Sequence, residues 1–171
     1  RAGKRALEMI RDGGFRFDRI AAYVGPGVGP RWLAASGFDL TFLRSGTLGS
    51  KSRPVLLAGS SAGAWRFAAW MQPEPEKSYR RLLDAYIGIP CDRRSTPASL
   101  KGALRDVINS YLEDDAIPFA LAHDQYRLAV TTARAKNLAA SETPWVQKLG
   151  LAMCYLVNRL DRRHLFRVFE R

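Results

Sequence analysis

The sequence predicts an α/β protein built on a mostly parallel sheet, and three observations carry that prediction. Short apolar runs alternate with longer segments of helical spacing along the chain. Residues 17–24 form one such run, with Ile20, Ala21, Ala22 and Val24 nearly continuous and apolar. That pattern suits a parallel strand buried on both faces. Residues 55–58 form a second short buried strand, which leads through Gly59-Ser60-Ser61-Ala62-Gly63 into a stretch of good helix formers.

The elements follow in order. Residues 1–12 read as a helix with Ala6, Leu7, Met9 and Ile10 on its apolar side, stopped by Asp12-Gly13-Gly14. The strand over 17–24 opens into a glycine-rich loop, Gly25-Pro26-Gly27-Val28-Gly29. Pro30 begins a short helix to about Ala35, ended by Gly37. Residues 40–43 are a short strand or a loop, and residues 45–52 a polar connection. After the helix that follows Gly63, Pro73-Glu74-Pro75 breaks the chain. Residues 76–87 are an amphipathic helix with Tyr79, Leu82, Leu83, Tyr86 and Ile87 on one side. A loop over 88–96 precedes a helix opened by Pro97, with Leu100, Leu104, Val107, Ile108 and Tyr111 at helical spacing. Residues 117–122 are a short apolar segment and 126–133 a strand. Thr143-Pro144 opens a long helix to about Leu160, and residues 164–169 alternate like a strand.

The 171 residues suffice for one domain with a sizeable core, so 1–171 is read as a single domain. Both ends look cut, at Arg1 and at Arg171, and the domain is expected to be incomplete at its C-terminus. There are 27 Lys and Arg against 16 Asp and Glu, a net charge of +11. That surplus draws a protein toward anionic surfaces, including acidic phospholipid. The basic residues are dispersed, and neither an RNA-binding aromatic signature nor zinc-finger spacing is present, so nucleic acid is not the expected partner. Cys91 and Cys154 lie far apart, without a metal-ligand cluster or a disulfide framework. No metal and no organic cofactor are expected. No run reaches the roughly 18 apolar residues that span a bilayer, and no secretory signal is visible. The expected location is cytoplasmic, with peripheral membrane contact.

The chemistry concentrates at Gly59-x-Ser61-x-Gly63. Strand, tight turn and helix form the context of a nucleophile elbow. Gly59 and Gly63 let strand and helix approach without a Cβ clash. Ser61 is then the candidate nucleophile, at a helix N-terminus whose dipole and N–H groups favour developing negative charge. In a parallel sheet, the loop after the first strand lies on the same edge as the elbow. The amides of Gly25, Gly27, Val28 and Gly29, together with Ala62, are the candidate oxyanion donors.

This order of motifs resembles the patatin-like phospholipases. In that family a glycine-rich loop after the first core strand forms the oxyanion hole, and G-x-S-x-G carries the nucleophile. The resemblance covers about residues 15–135 and implies a three-layer sandwich. It further implies a serine acyl hydrolase working by a Ser–Asp dyad on phospholipid or other lipid esters. The sequence departs from the family at three points. Pro26 and Pro30 replace loop glycines, and proline has no N–H to donate. Arg31 stands one position later than the family's basic residue. No Asp-Gly-Gly or Asp-Gly-Ala follows Ser61, so the catalytic Asp lies beyond Arg171 or has been lost. A catalytically inactive binding module and a basic nucleic-acid-binding domain are the alternatives. A triad of Ser61, Asp114 and His164 is a further one, although an α/β-hydrolase normally places several strands before its elbow.

Overall fold

The computed structural model describes residues 3–49, 53–90, 97–161, 163 and 169–170. The chain divides into two compact units, Arg1–Val130 and Thr131–Arg171. The first is a mixed α/β unit on a three-stranded parallel sheet. Helix α1 (Lys4–Gly13) ends where Gly14 takes φ 71° and its N–H reaches the Ile10 carbonyl. A 3-10 turn (Phe17–Arg19) leads into β1 (Ala22–Gly25). A second 3-10 helix (Gly29–Ala35) runs directly into α2 (Ser36–Ser45), and then come β2 (Val55–Ser60) and α3 (Ala62–Trp70). Helices α4 (Pro75–Ile87), α5 (Pro97–Tyr111) and α6 (Ile117–Leu121) precede β3 (Tyr126–Thr131).

The sheet order is β1-β2-β3. Strands β1 and β2 are parallel, with Tyr23 opposite Leu57 and Gly25 opposite Gly59. Helix α3 packs on β1 and β2, α4 packs on α3, and α5 packs on α4. The core lies between the sheet and these helices. Val55, Leu57, Phe67, Trp70, Tyr79 and Leu82 are all buried there. Each large apolar side chain contributes about 1.5–3 kcal/mol by leaving water.

The elements differ from the expected ones at several places. Residues 17–24 are not one continuous strand; the first part is a 3-10 turn, and β1 has four residues. Nor is β1 buried on both faces, since Val24 is 65% exposed. The opposite face of β1 carries Tyr23, packed against the core. Strand β2 shows the same alternation, with Val55 and Leu57 buried and Leu56 exposed. Residues 40–43 are helical, and Gly37 lies inside α2 rather than ending a helix. The stop is Gly46, at φ 60° with its N–H on the Phe42 carbonyl. A four-residue apolar run does not distinguish strand from helix by periodicity. Here Asp39 and Phe42, three apart on one helix face, are both buried and decide for helix.

The second unit joins β4 (Arg134–Ala135) antiparallel to β5 (Phe169–Glu170). A 3-10 turn (Asn137–Ala140) packs on α7 (Pro144–Leu160). A Cβ on Gly150 would stand 2.4 Å from the Ala139 nitrogen, so only glycine allows this approach. Cys154 is a buried free thiol. Cys91, and most of the alternating segment over 164–169, lie outside the described residues.

Candidate functional site

Ser61 sits between β2 and α3 with φ 51° and ψ −124°. Among the described residues only Ser61 and Asn137 have a positive φ without being glycine. A side chain in that region is strained by about 1–3 kcal/mol and persists where surrounding structure enforces it. The enforcement here comes from glycines. A Cβ on Gly59 would fall 2.5 Å from the Ala64 nitrogen and Cα. One on Gly63 would fall 1.9 Å from the Gly25 carbonyl oxygen, and one on Gly25 would fall 2.9 Å from the Gly63 Cα. Strand β1, the turn and α3 therefore meet backbone to backbone. Ser61 is exposed while Ala62 and Gly63 behind it are buried, so the turn presents its serine to solvent.

The glycine loop lies where the parallel pairing puts it. Gly25 ends β1 and Gly59 stands opposite it one residue before β2 ends, so the following segments leave the same sheet edge. A Cβ on Gly27 would stand 3.2 Å from the Ser61 Cβ and 3.4 Å from the Ser60 carbonyl oxygen. Val28 is exposed, and Gly29 takes φ 55° as it opens its 3-10 helix. Ala62 is the first residue of α3, and the Ser61 carbonyl accepts from the N–H groups of Ala64 (2.9 Å) and Trp65 (3.2 Å). The first N–H groups of a helix have no intrahelical acceptor. The N–H groups of Ala62 and Gly63, at the start of α3, thus have no acceptor within the helix.

Among the described residues, no carboxylate or imidazole hydrogen-bonds the Ser61 hydroxyl. His123 is remote for a topological reason. The Val55 N–H donates to the Gln125 carbonyl at 2.8 Å, so residues 123–125 lie at the start of β2. Ser61 follows its end, about 20 Å away at the rise of a strand. His123 Nδ1 accepts instead from the N–H groups of Gln125 (3.1 Å) and Tyr126 (3.3 Å), closing the turn into β3. Burial lowers its pKa, the neighbouring Asp124 raises it, and Arg127 lowers it; the net direction is down. A depressed folded value means that the unfolded chain takes up the proton first, so stability falls as pH drops below the ordinary histidine range. Wild type is expected to lose more melting temperature between pH 7.5 and 5.5 than His123→Gln. Equal losses would remove this histidine from the pH dependence. Asp114 is exposed in a 3-10 turn (Asp114–Ala116), and His164 lies outside the described residues.

A buried polar network that the sequence does not announce begins on α3, five residues after Ser61. Arg66 of α3 and Asp39 of α2 form a buried, two-pronged ion pair, with Nε–Oδ2 at 2.6 Å and Nη2–Oδ1 at 2.7 Å. The Tyr23 hydroxyl donates to Asp39 Oδ1 at 3.0 Å, and the Tyr79 hydroxyl donates to Oδ2. Arg66 Nη2 also reaches the Tyr23 oxygen at 3.4 Å. Burial opposes the Arg66 charge, but the hydrogen bonds and charge of Asp39 outweigh it and raise the Arg66 pKa. Burial and then the Asp39 charge push the Tyr79 hydroxyl well up, because ionising it would set two anions together. The network ties β1, α2, α3 and α4 together. The signal was one Arg inside an otherwise apolar helix, and one Asp inside the apolar stretch 38–43.

Of the aromatics near the elbow, Phe67 and Trp70 are core, and Trp65 is half-buried beside Tyr86. Among the described residues no three His, Cys, Asp or Glu side chains cluster as metal ligands. No helix among them is long and apolar enough to cross a membrane.

These features define a class: an α/β protein with a strained, exposed serine between strand and helix and a glycine loop against it. No protein-family model matches the chain, and no curated protein or solved structure matches it at a significant level.

Proposed function

We propose that the chain carries the nucleophile half of a serine acyl hydrolase of the patatin-like kind, acting on ester bonds of phospholipids or other lipids. The supporting observation is the backbone of Ser61, φ 51° and ψ −124°, held by Gly25, Gly59 and Gly63 with Gly27 packed against it. In this reading Ser61 Oγ attacks the ester carbonyl and gives its proton to a carboxylate. The negative oxygen of the tetrahedral intermediate is met by amides of the turn and loop, Ala62 and Gly27 foremost. The alcohol leaves with a proton, and water then hydrolyses the acyl-serine. The three-layer sandwich and peripheral membrane location belong to the same reading.

Reaction with a fluorophosphonate probe tests it. Such a probe phosphonylates an activated serine, so folded protein should gain one adduct, mapped to the Ser61 peptide. Ser61→Ala should gain none and should lose at least about a hundredfold of any ester hydrolysis. Folded wild type that stays unlabelled would sink the hydrolase reading. It would favour a binding module that keeps the turn without the chemistry.

A further inference from the structure

We propose that α7 docks this protein on an anionic lipid bilayer, lying in the plane of the membrane surface. The inference gives the membrane location of the proposed function a surface, and its observations are those of α7 rather than the reactivity of Ser61. At about 100° per residue, Trp145, Leu149, Met153, Leu156 and Leu160 fall on one stripe of the helix. All five are exposed, from 49% at Leu149 to 86% at Leu160. The side that packs in its own unit is a different one, where Gly150 and Cys154 are buried and Gly150 meets Ala139. Lys148 and Arg159 return to one position after eleven residues and flank the stripe, and beyond them lie the exposed Leu151 and Tyr155.

Charge decides the occupant. Pro144–Leu160 contains no Asp or Glu, and residues 131–171 carry eight Lys and Arg against three acids. A second copy seated on the stripe would bring like charges alongside each other. An anionic bilayer satisfies both properties at once. The stripe, about 22 Å long at helical rise, enters the boundary between headgroups and acyl chains. Lys148 and Arg159 extend their stems and reach lipid phosphates. Trp145, at the start of the helix, suits the headgroup level.

The test is co-sedimentation of the whole chain with vesicles of phosphatidylcholine, with and without phosphatidylserine. Binding should be at least about tenfold tighter with phosphatidylserine and should weaken with salt. Leu149→Gln with Leu156→Gln should lower binding about tenfold or more at unchanged melting temperature. Lys148→Gln with Arg159→Gln should remove the preference for phosphatidylserine. Brominated lipid gives an independent reading. Trp32 and Trp70 are buried and Trp65 half-buried, whereas Trp145 is 68% exposed. Its emission should be quenched, and Trp145→Phe should remove the quenched component. Absence of both vesicle preference and quenching overturns the proposal. So does a double leucine variant that loses melting temperature, which would mean the stripe is packed inside the protein. A variant that turns a dimer into a monomer overturns it too, in favour of a second copy. Fluorophosphonate labelling of Ser61, measured without lipid, is unaffected by any of these results.

Discussion

Arg66→Met is expected to destabilise the unit Arg1–Val130 by about 3–5 kcal/mol, enough to unfold a marginal domain. The magnitude follows from what is left behind. Asp39 is 0% exposed and would be left in the core without its arginine, among the described residues with the two tyrosine hydroxyls as its side-chain donors. Removing one member of a buried pair strands the other, whereas removing both replaces the pair by ordinary core. Arg66→Met with Asp39→Leu should therefore recover most of the loss. Urea unfolding of the three proteins makes the comparison. If the double variant is no more stable than Arg66→Met alone, the ion pair is not the source of the effect. Arg66 also lies five residues after Ser61, on the helix that Ser61 leads into. Fluorophosphonate labelling of the folded double variant would show whether the pair positions the elbow or only stabilises the core.

Gly63→Ala is expected to be at least as damaging, by more than about 3 kcal/mol, because the new methyl meets backbone rather than a side chain. It would fall 1.9 Å from the Gly25 carbonyl oxygen and 2.3 Å from its carbon, and neither can move without shifting β1. The matched control is Gly102→Ala in α5, where nothing lies within 4 Å. There alanine should stabilise by roughly 0.5–1 kcal/mol through helix propensity. Thermal melts of both variants test the pair. A Gly63→Ala protein that melts like wild type would show that β1 and α3 do not touch at the elbow.

The sequence was most legible where backbone geometry is written in residue type. Gly59, Ser61 and Gly63 announce a tight strand-to-helix turn because few other residues fit one, and the structure contains that turn. Gly14 and the prolines at 75, 97 and 144 mark helix ends for similar reasons. Legibility failed where the deciding partner is distant in sequence. Asp39 turns a stretch that reads as strand or loop into one face of a helix, and its partner lies 27 residues away. Val24 looks fully buried in an apolar run, yet it is exposed because a strand with one covered face shows the same local composition. A base for Ser61, which the proposed hydrolase reading requires, is the extreme case, since a triad or dyad is assembled in space and its members share no fixed sequence spacing.

The pairing of Gly25 with Gly59 has a consequence for how this chain tolerates change. The turn and the loop are opposed by strand register, and Gly25, Gly59 and Gly63 bring main chain rather than side chains together there. Replacing exposed Pro26 or Val28 leaves that opposition in place. Adding or deleting one residue within β1 or β2 does not, because a single-residue slip exchanges the inner and outer faces of a strand. The arrangement around Ser61 is thus forgiving of spelling and unforgiving of length, and its history should be written more in substitutions than in insertions.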